Sequence, residues 1–255
     1  MHTMTVRAAV LEATLVTLLA VVGGAWLVHQ NGFWSLSWDA LNHHIYLGSI
    51  AETPRSHLDS VAASSQSYQY PYLYWPIYRL SLIDGSGVIV GMVWAALQTL
   101  LIVPPLWLFV YRLLPDDGNA WTQRVYRLIA CYLALVSIPV LAAVGTTAND
   151  LVASVPVLWA VALGIGFAQS RKAILAAAAL LGVGIAFKYS NVLYTPLALI
   201  WWFAPARPRF TFVGGFAIAL SVALGFVAAY APWGWRLWGM TGNPFYPHLQ
   251  SLFSG

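Results

Sequence analysis

Residues 171–209, RKAILAAAALLGVGIAFKYSNVLYTPLALIWWFAPARPR, decide the fold. Two uncharged apolar runs, 173–187 and 190–204, lie between basic borders, Arg171 and Lys172 on one side and Arg207 and Arg209 on the other. A single cation, Lys188, separates them. That order reads as a membrane hairpin whose basic ends stay on the cytoplasmic face, where short loops carry an excess of Lys and Arg. Each run is shorter than the roughly 20 residues a full span needs. The tip Lys188-Tyr189-Ser190-Asn191 is therefore expected at or just below the opposite surface. A cation at that depth is costly and calls for an anionic partner, and phosphate suits it.

Composition extends the same reading to the whole chain. Of 255 residues 60% are hydrophobic and 8% charged, against about a quarter charged in ordinary soluble domains; mean hydropathy is +0.72. Five more apolar segments, at 8–29, 88–111, 125–144, 151–169 and 211–231, join the hairpin. The expectation is an all-α polytopic membrane protein, a single transmembrane domain over 1–255 with about seven transmembrane helices. A long outer loop, 30–86, follows the first span and carries interfacial helices; an outer tail, 232–255, follows the last. With the N-terminus cytoplasmic, eight basic residues fall inside (Arg7, Arg112, Arg124, Arg127, Arg171, Lys172, Arg207, Arg209) and four outside (Arg55, Arg79, Lys188, Arg236), as the positive-inside rule requires. The first segment follows Arg7 like a signal peptide, but no small-x-small cleavage site precedes His29, so it reads as an uncleaved span.

The net charge of +4 is dispersed over short loops rather than gathered into a stripe, which argues against nucleic acid as a partner. Cys131 is the lone cysteine and lies in an apolar run; it reads as a small core residue.

The polar residues that could carry chemistry cluster in the outer segments. Trp38-Asp39-Ala40-Leu41-Asn42-His43-His44-Ile45-Tyr46 opens the long loop. In a helix Asp39, His43 and Tyr46 share one face. Asp39 there is either a helix N-cap or a general base, or a ligand with His43 for a divalent metal such as Mg or Mn. Asp150, in Thr146-Thr147-Ala148-Asn149-Asp150, is either a residue of a helix N-terminus or a second carboxylate facing Asp39. Lys188 and, past the last segment, Arg236 are candidate phosphate partners; for Arg236 an interfacial anchor is the plainer role. Between Tyr68 and Tyr78 six of eleven residues are aromatic, an interfacial belt that could also stack sugars.

These features taken in order resemble the GT-C glycosyltransferases, integral membrane enzymes that use polyprenyl-phosphate-linked sugars. The first span runs into a long outer loop that opens on Trp38-Asp39-Ala40-Leu41-Asn42-His43-His44, similar to the Asp-x-x-x-(Tyr/His)-His loop of bacterial members. An acidic second loop (Thr147-Ala148-Asn149-Asp150), a basic hairpin (Phe187-Lys188-Tyr189-Ser190-Asn191) and the tail Gly242-Asn243-Pro244-Phe245-Tyr246-Pro247 follow. The resemblance implies a seven-span core in the bacterial inner (cytoplasmic) membrane, with the active site facing the periplasm. It implies Asp39 as base or metal-associated residue, Asp150 as a second catalytic acidic residue, and Lys188 and more loosely Arg236 as holders of the lipid phosphate. His43 would orient Asp39, and His44, Tyr46 and Asn191 would line the substrate. Partners would be a polyprenyl-phosphate-linked sugar, membrane lipids, and a glycan, lipid or protein acceptor. Members of the family usually continue beyond the length seen here, which leaves a truncated non-catalytic subunit as an alternative. The other alternative, a transporter or flippase for a lipid-linked substrate, predicts repeats and polar residues near the midplane; the polar residues cluster at the outer surface instead.

Overall fold

A computed structural model of the chain describes residues 5–31, 38–55, 59, 62–83, 86–114, 119–196 and 212–253. Every regular element among the described residues is helical. They are α1 (Val6–Asn31), α2 (Ile45–Glu52), α3 (Trp75–Ser81), α4 (Gly87–Leu113), α5 (Ala120–Leu135), α6 (Ile138–Ala143), α7 (Asp150–Gly166), α8 (Arg171–Phe187), α9 (Phe212–Thr241) and α10 (Gln250–Phe253). A π-helical turn, Ala40–His44, leads into α2, and 3-10 turns cover Ser64–Tyr68 and Tyr189–Tyr194.

Among the described residues three helices are long and apolar enough to cross a membrane: α1, α4 and, over Val213–Thr241, α9. The helix starts follow local chemistry. Ser86, Asn119 and Ser170 each accept a backbone N–H from the first turn of α4, α5 and α8, which satisfies donors a helix leaves open. The expected span 125–144 is instead two helices, because Pro139 in a continuous helix would push its ring into the carbonyl of Leu135; α5 ends at Leu135 and α6 restarts at Ile138. The segment expected at 190–204 opens as the 3-10 turn Tyr189–Tyr194, and its continuation past 196 lies outside the described residues. The segment expected to end at 231 runs on to Thr241, so Arg236 sits inside α9 rather than in a tail beyond it.

Close contacts give the arrangement. Gly24 of α1 meets Thr99 of α4, and Gly184 of α8 meets Val157 of α7. Gly182 and Gly225 let the backbones of α8 and α9 touch: a Cβ on Gly225 would stand 1.9 Å from the Ala179 carbonyl oxygen. The helices thus pack in the order α9, α8, α7, α4, α1, with α5 beside α4. At one end Arg112 of α4 lies against Gly166 of α7.

The other end is stepped, and the step places the site. α7 and α8 have 17 residues each, α4 has 27 and α9 has 30. The loop leading into α7 meets α4 at Gln98, whose amide accepts from Gly145 N and donates to the Thr146 carbonyl. The end of α8 meets α9 at Tyr230, bonded to Tyr189. Gln98 is eleven residues inside α4 and Tyr230 eleven residues short of the end of α9. At 1.5 Å per residue the ends of α7 and α8 lie about 16 Å below the tips of the long helices. α2 and α3 fill the step, burying Leu47, Ile50, Tyr74 and Ile77 against Trp94, Tyr230, Trp233 and Leu237.

At the opposite end Glu12 of α1 holds Arg127 of α5 through two contacts, 2.6 Å to Nε and 2.8 Å to Nη2. Trp107 Nε1 donates to the same carboxylate at 3.2 Å. Arg127, expected in a cytoplasmic loop, is instead a buried helical residue.

Candidate functional site

The site gathers on the floor of the step, where the π turn, the loop Val144–Asn149 and the end of α8 meet. Asp39 is not a helix cap: its backbone is helical (φ −65°, ψ −36°) and its side chain makes no capping bond. The carboxylate is 54% exposed and lies 3.7 Å from His43 Nδ1, beyond hydrogen-bond reach. His43 and His44 are both buried. Burial holds both imidazoles below their usual range, His44 down to about 4, with His43 next to it lowering it further. Both rings are therefore neutral at pH 7, and the Asp39–His43 contact is carboxylate to neutral imidazole, not an ion pair.

His44 is the hub. Its Nδ1 lies 2.7 Å from Thr147 Oγ1, its ring stacks on Tyr74 with centroids 4.8 Å apart, and its titration feels Asp39, Asp150 and Lys188 as well as His43. Tyr74 is buried, and burial, Asp150 and Asp39 together push its phenol upward. The two loop carboxylates thus act on one buried imidazole and one buried phenol. The Asp39 turn is tied in further by Asn42, whose amide donates to Gln66 at 2.9 Å.

Asp150 opens α7 but turns its carboxylate to Lys188, 2.5 Å from Nζ. This is the anionic partner the hairpin lysine called for. The pair is partly open, with 35% of the lysine and 60% of the aspartate side chain exposed. Lys188 sits between two openings. On one side is a cavity of about 320 Å³ lined by Gln66, Tyr68, Tyr70, Asn149, Tyr246 and His248. Burial pushes Tyr70 up to about 12, so its phenol is a neutral donor. On the other side an apolar groove of about 710 Å³ runs along Ile102, Leu106, Leu135, Val140 and Leu158 and ends on Asp150 and Lys188. Leu158 is eight residues into α7 beyond Asp150, about 12 Å down the helix.

Two expected members, Tyr46 and Arg236, stand elsewhere, and a third, Asn191, is spent on the fold. Tyr46 leaves the Asp39 face because the π turn, wider than an α turn, rotates α2 beyond it. Its ring lines a separate cavity of about 540 Å³ with Asp59 and Arg236. Arg236 is there because α9 continues as a helix, so it is no second charge beside Lys188. Asn191 borders the groove, but its amide nitrogen is spent on the carbonyls of Ala153 and Gly184, at 3.0 and 2.8 Å, locking the hairpin tip onto α7. Asp39 and His43 provide two metal-ligand types, and among the described residues no three His, Cys, Asp or Glu side chains group to hold a metal.

Thr147, Tyr74 and Gln98 were not singled out as site residues. Thr147 lies in the quoted acidic loop and Tyr74 in the aromatic run, but nothing in either stretch marks a stacking partner for His44. Gln98, fully buried in an apolar helix, had a signal: a lone amide within a span needs a partner there.

Comparison with known proteins adds no relative: no family profile, no curated protein and no solved structure matches the chain.

Proposed function

We propose that the chain is a membrane glycosyltransferase that moves a sugar from a polyprenyl-phosphate donor to an acceptor hydroxyl with inversion. One observation carries this: Lys188 lies between an apolar groove and a polar, aromatic cavity. An amphiphile with a single phosphate between a hydrocarbon tail and a sugar matches that order. The tail follows the groove, the phosphate meets Lys188, and the sugar lies among Gln66, Asn149 and the tyrosines. An ammonium has three donors, so Lys188 keeps Asp150 while offering a proton to a phosphate oxygen.

In the step itself, Asp39 takes the proton of the acceptor hydroxyl, and the acceptor oxygen bonds to the anomeric carbon. The bond from that carbon to the phosphate oxygen breaks, and its electron pair stays on the phosphate. Lys188 stabilises that developing charge, the electrostatic role that is usually the largest single contribution. Asp150 positions Lys188. His44, neutral and held by Thr147 and Tyr74, fixes the floor between the two carboxylates. Asp39 is suited to act as base because no cap or close hydrogen bond occupies it.

The test is Asp39→Asn in the purified protein, followed by sugar transfer from a polyprenyl-phosphate donor. The side chain is more than half exposed, so folding is expected to be retained while transfer is lost. Near-parental transfer by the variant overturns the assignment of the base.

A further inference from the structure

We propose that the cavity beneath Arg236 is a second binding site, for an oxyanion (a phosphate or a carboxylate), separate from the one at Lys188. Arg236 lies on α9, and its Nη1 is buried without a hydrogen-bond partner among the described residues. Buried polar nitrogens are almost always bonded, and leaving one open forfeits its hydration. The guanidinium is held instead over the Tyr72 ring, 5.8 Å from its centroid, which fixes it without satisfying its donors.

The space next to it has the dimensions and the charge for an anion. The cavity encloses about 540 Å³ and is lined by Arg236 with Tyr46, Ser67, Trp233, Trp235 and Thr241. Among the described residues its other charged members, Arg55 and Asp59, face each other at 3.6 Å and offset one another. Two cations against one carboxylate leave Arg236 uncompensated. A planar guanidinium with free donors matches a phosphate or carboxylate edge better than an ammonium does. The Ser67 hydroxyl, which accepts from Ala63 N, keeps its own proton to donate at the wall, and the Trp and Tyr rings present flat faces for whatever body carries the anion. Tyr68 lines this cavity and the Lys188 cavity alike, so one ring divides the two sites. Lys188, by contrast, already has Asp150.

The experiment measures binding alone, without donor or transfer, so its outcome is independent of the glycosyltransferase proposal. The full chain is titrated in detergent with inorganic phosphate by calorimetry. In parallel it is placed in phosphatidylcholine nanodiscs containing phosphatidylglycerol, and retained lipid is counted by native mass spectrometry. Two variants address the site: Arg236→Gln removes the charge, and Gly239→Phe fills the cavity. Gly239 lines it, and a Cβ there meets nothing within 4 Å, so the second variant keeps the test valid if the first fails to fold. Saturable phosphate binding weakened about tenfold or more by both changes, and kept in Lys188→Gln, supports the site with a soluble anion as source. One retained phosphatidylglycerol, lost in the same two variants and kept in Lys188→Gln, supports it with a lipid headgroup as source. Binding of both ligands that is indifferent to Arg236→Gln and Gly239→Phe, or equally lost in Lys188→Gln, overturns it.

Discussion

Changing Glu12 to glutamine tests how the far end of the bundle is held. The carboxylate grips Arg127 at 2.6 and 2.8 Å and accepts from Trp107 at 3.2 Å. Only 10% of the Glu12 side chain and 6% of the Arg127 side chain are exposed. Glu12→Gln takes the carboxylate from a buried guanidinium, and losing one partner of a buried ion pair typically destabilises by about 3–5 kcal/mol. Arg124 contributes little to the difference: it stands 3.8 Å away and is 47% exposed, a geometry worth at most about 1 kcal/mol. For a chain of this size each kcal/mol moves the melting temperature by roughly 2–4 °C, so Glu12→Gln should lower it by roughly 6–20 °C. Scanning fluorimetry of the detergent-solubilised protein reads this directly. The double variant Glu12→Gln, Arg127→Met should regain much of the loss, because an apolar pair of similar volume can replace a buried ion pair at little net change. A single variant that melts within about 2 °C of the parent, or a double variant that melts well below the single one, refutes the reasoning.

Two further perturbations act nearer the site. Gly225→Leu places a Cβ where 1.9 Å would separate it from the Ala179 carbonyl oxygen; α8 and α9 must part, lowering stability by about 1–3 kcal/mol and displacing Lys188 at the end of α8, and an unchanged melting temperature argues against the contact. Burial lowers the His44 pKa from 6.5 to about 4 in the fold, so between those values the unfolded chain binds more protons than the native one. Stability should then fall as pH drops from about 6.5 to about 4, by on the order of 3 kcal/mol; His44→Gln should flatten that slope, and identical slopes for parent and variant contradict it.

Much of the helical layout is legible in the sequence, because long apolar runs with Ser or Asn before them specify helix and start together. The Lys188 tip and its need for an anion are legible for the same reason: a lone cation between two short apolar runs has few options. Pairings across the bundle are less so. Glu12 and Arg127 are 115 residues apart, and an arginine near a segment border reads as a loop charge until α1 is placed against α5. The break before Ile138 was available from Ser137 and Pro139, yet Pro104, Pro105, Pro156 and Pro232 stay within helices, as membrane helices allow, so proline alone does not locate a break. Tyr46 and Arg236 were misplaced by rotation: one π turn and ten more residues of helix carry them to a different cavity. Asp39 and Asp150 both looked like caps by residue type; only side-chain geometry separates a cap from a carboxylate that is free or paired to lysine.

The most direct measurement is release of polyprenyl phosphate from a polyprenyl-phosphate sugar by the purified protein, compared between parent and Lys188→Gln. The Lys188–Asp150 pair is too exposed to be worth more than about 1 kcal/mol, so the variant should fold and melt close to the parent. Loss of a donor to the developing charge should slow release by roughly 100-fold or more. Release by Lys188→Gln at the parental rate, or a folded parent that releases no lipid phosphate from hexosyl or pentosyl donors, would contradict the account.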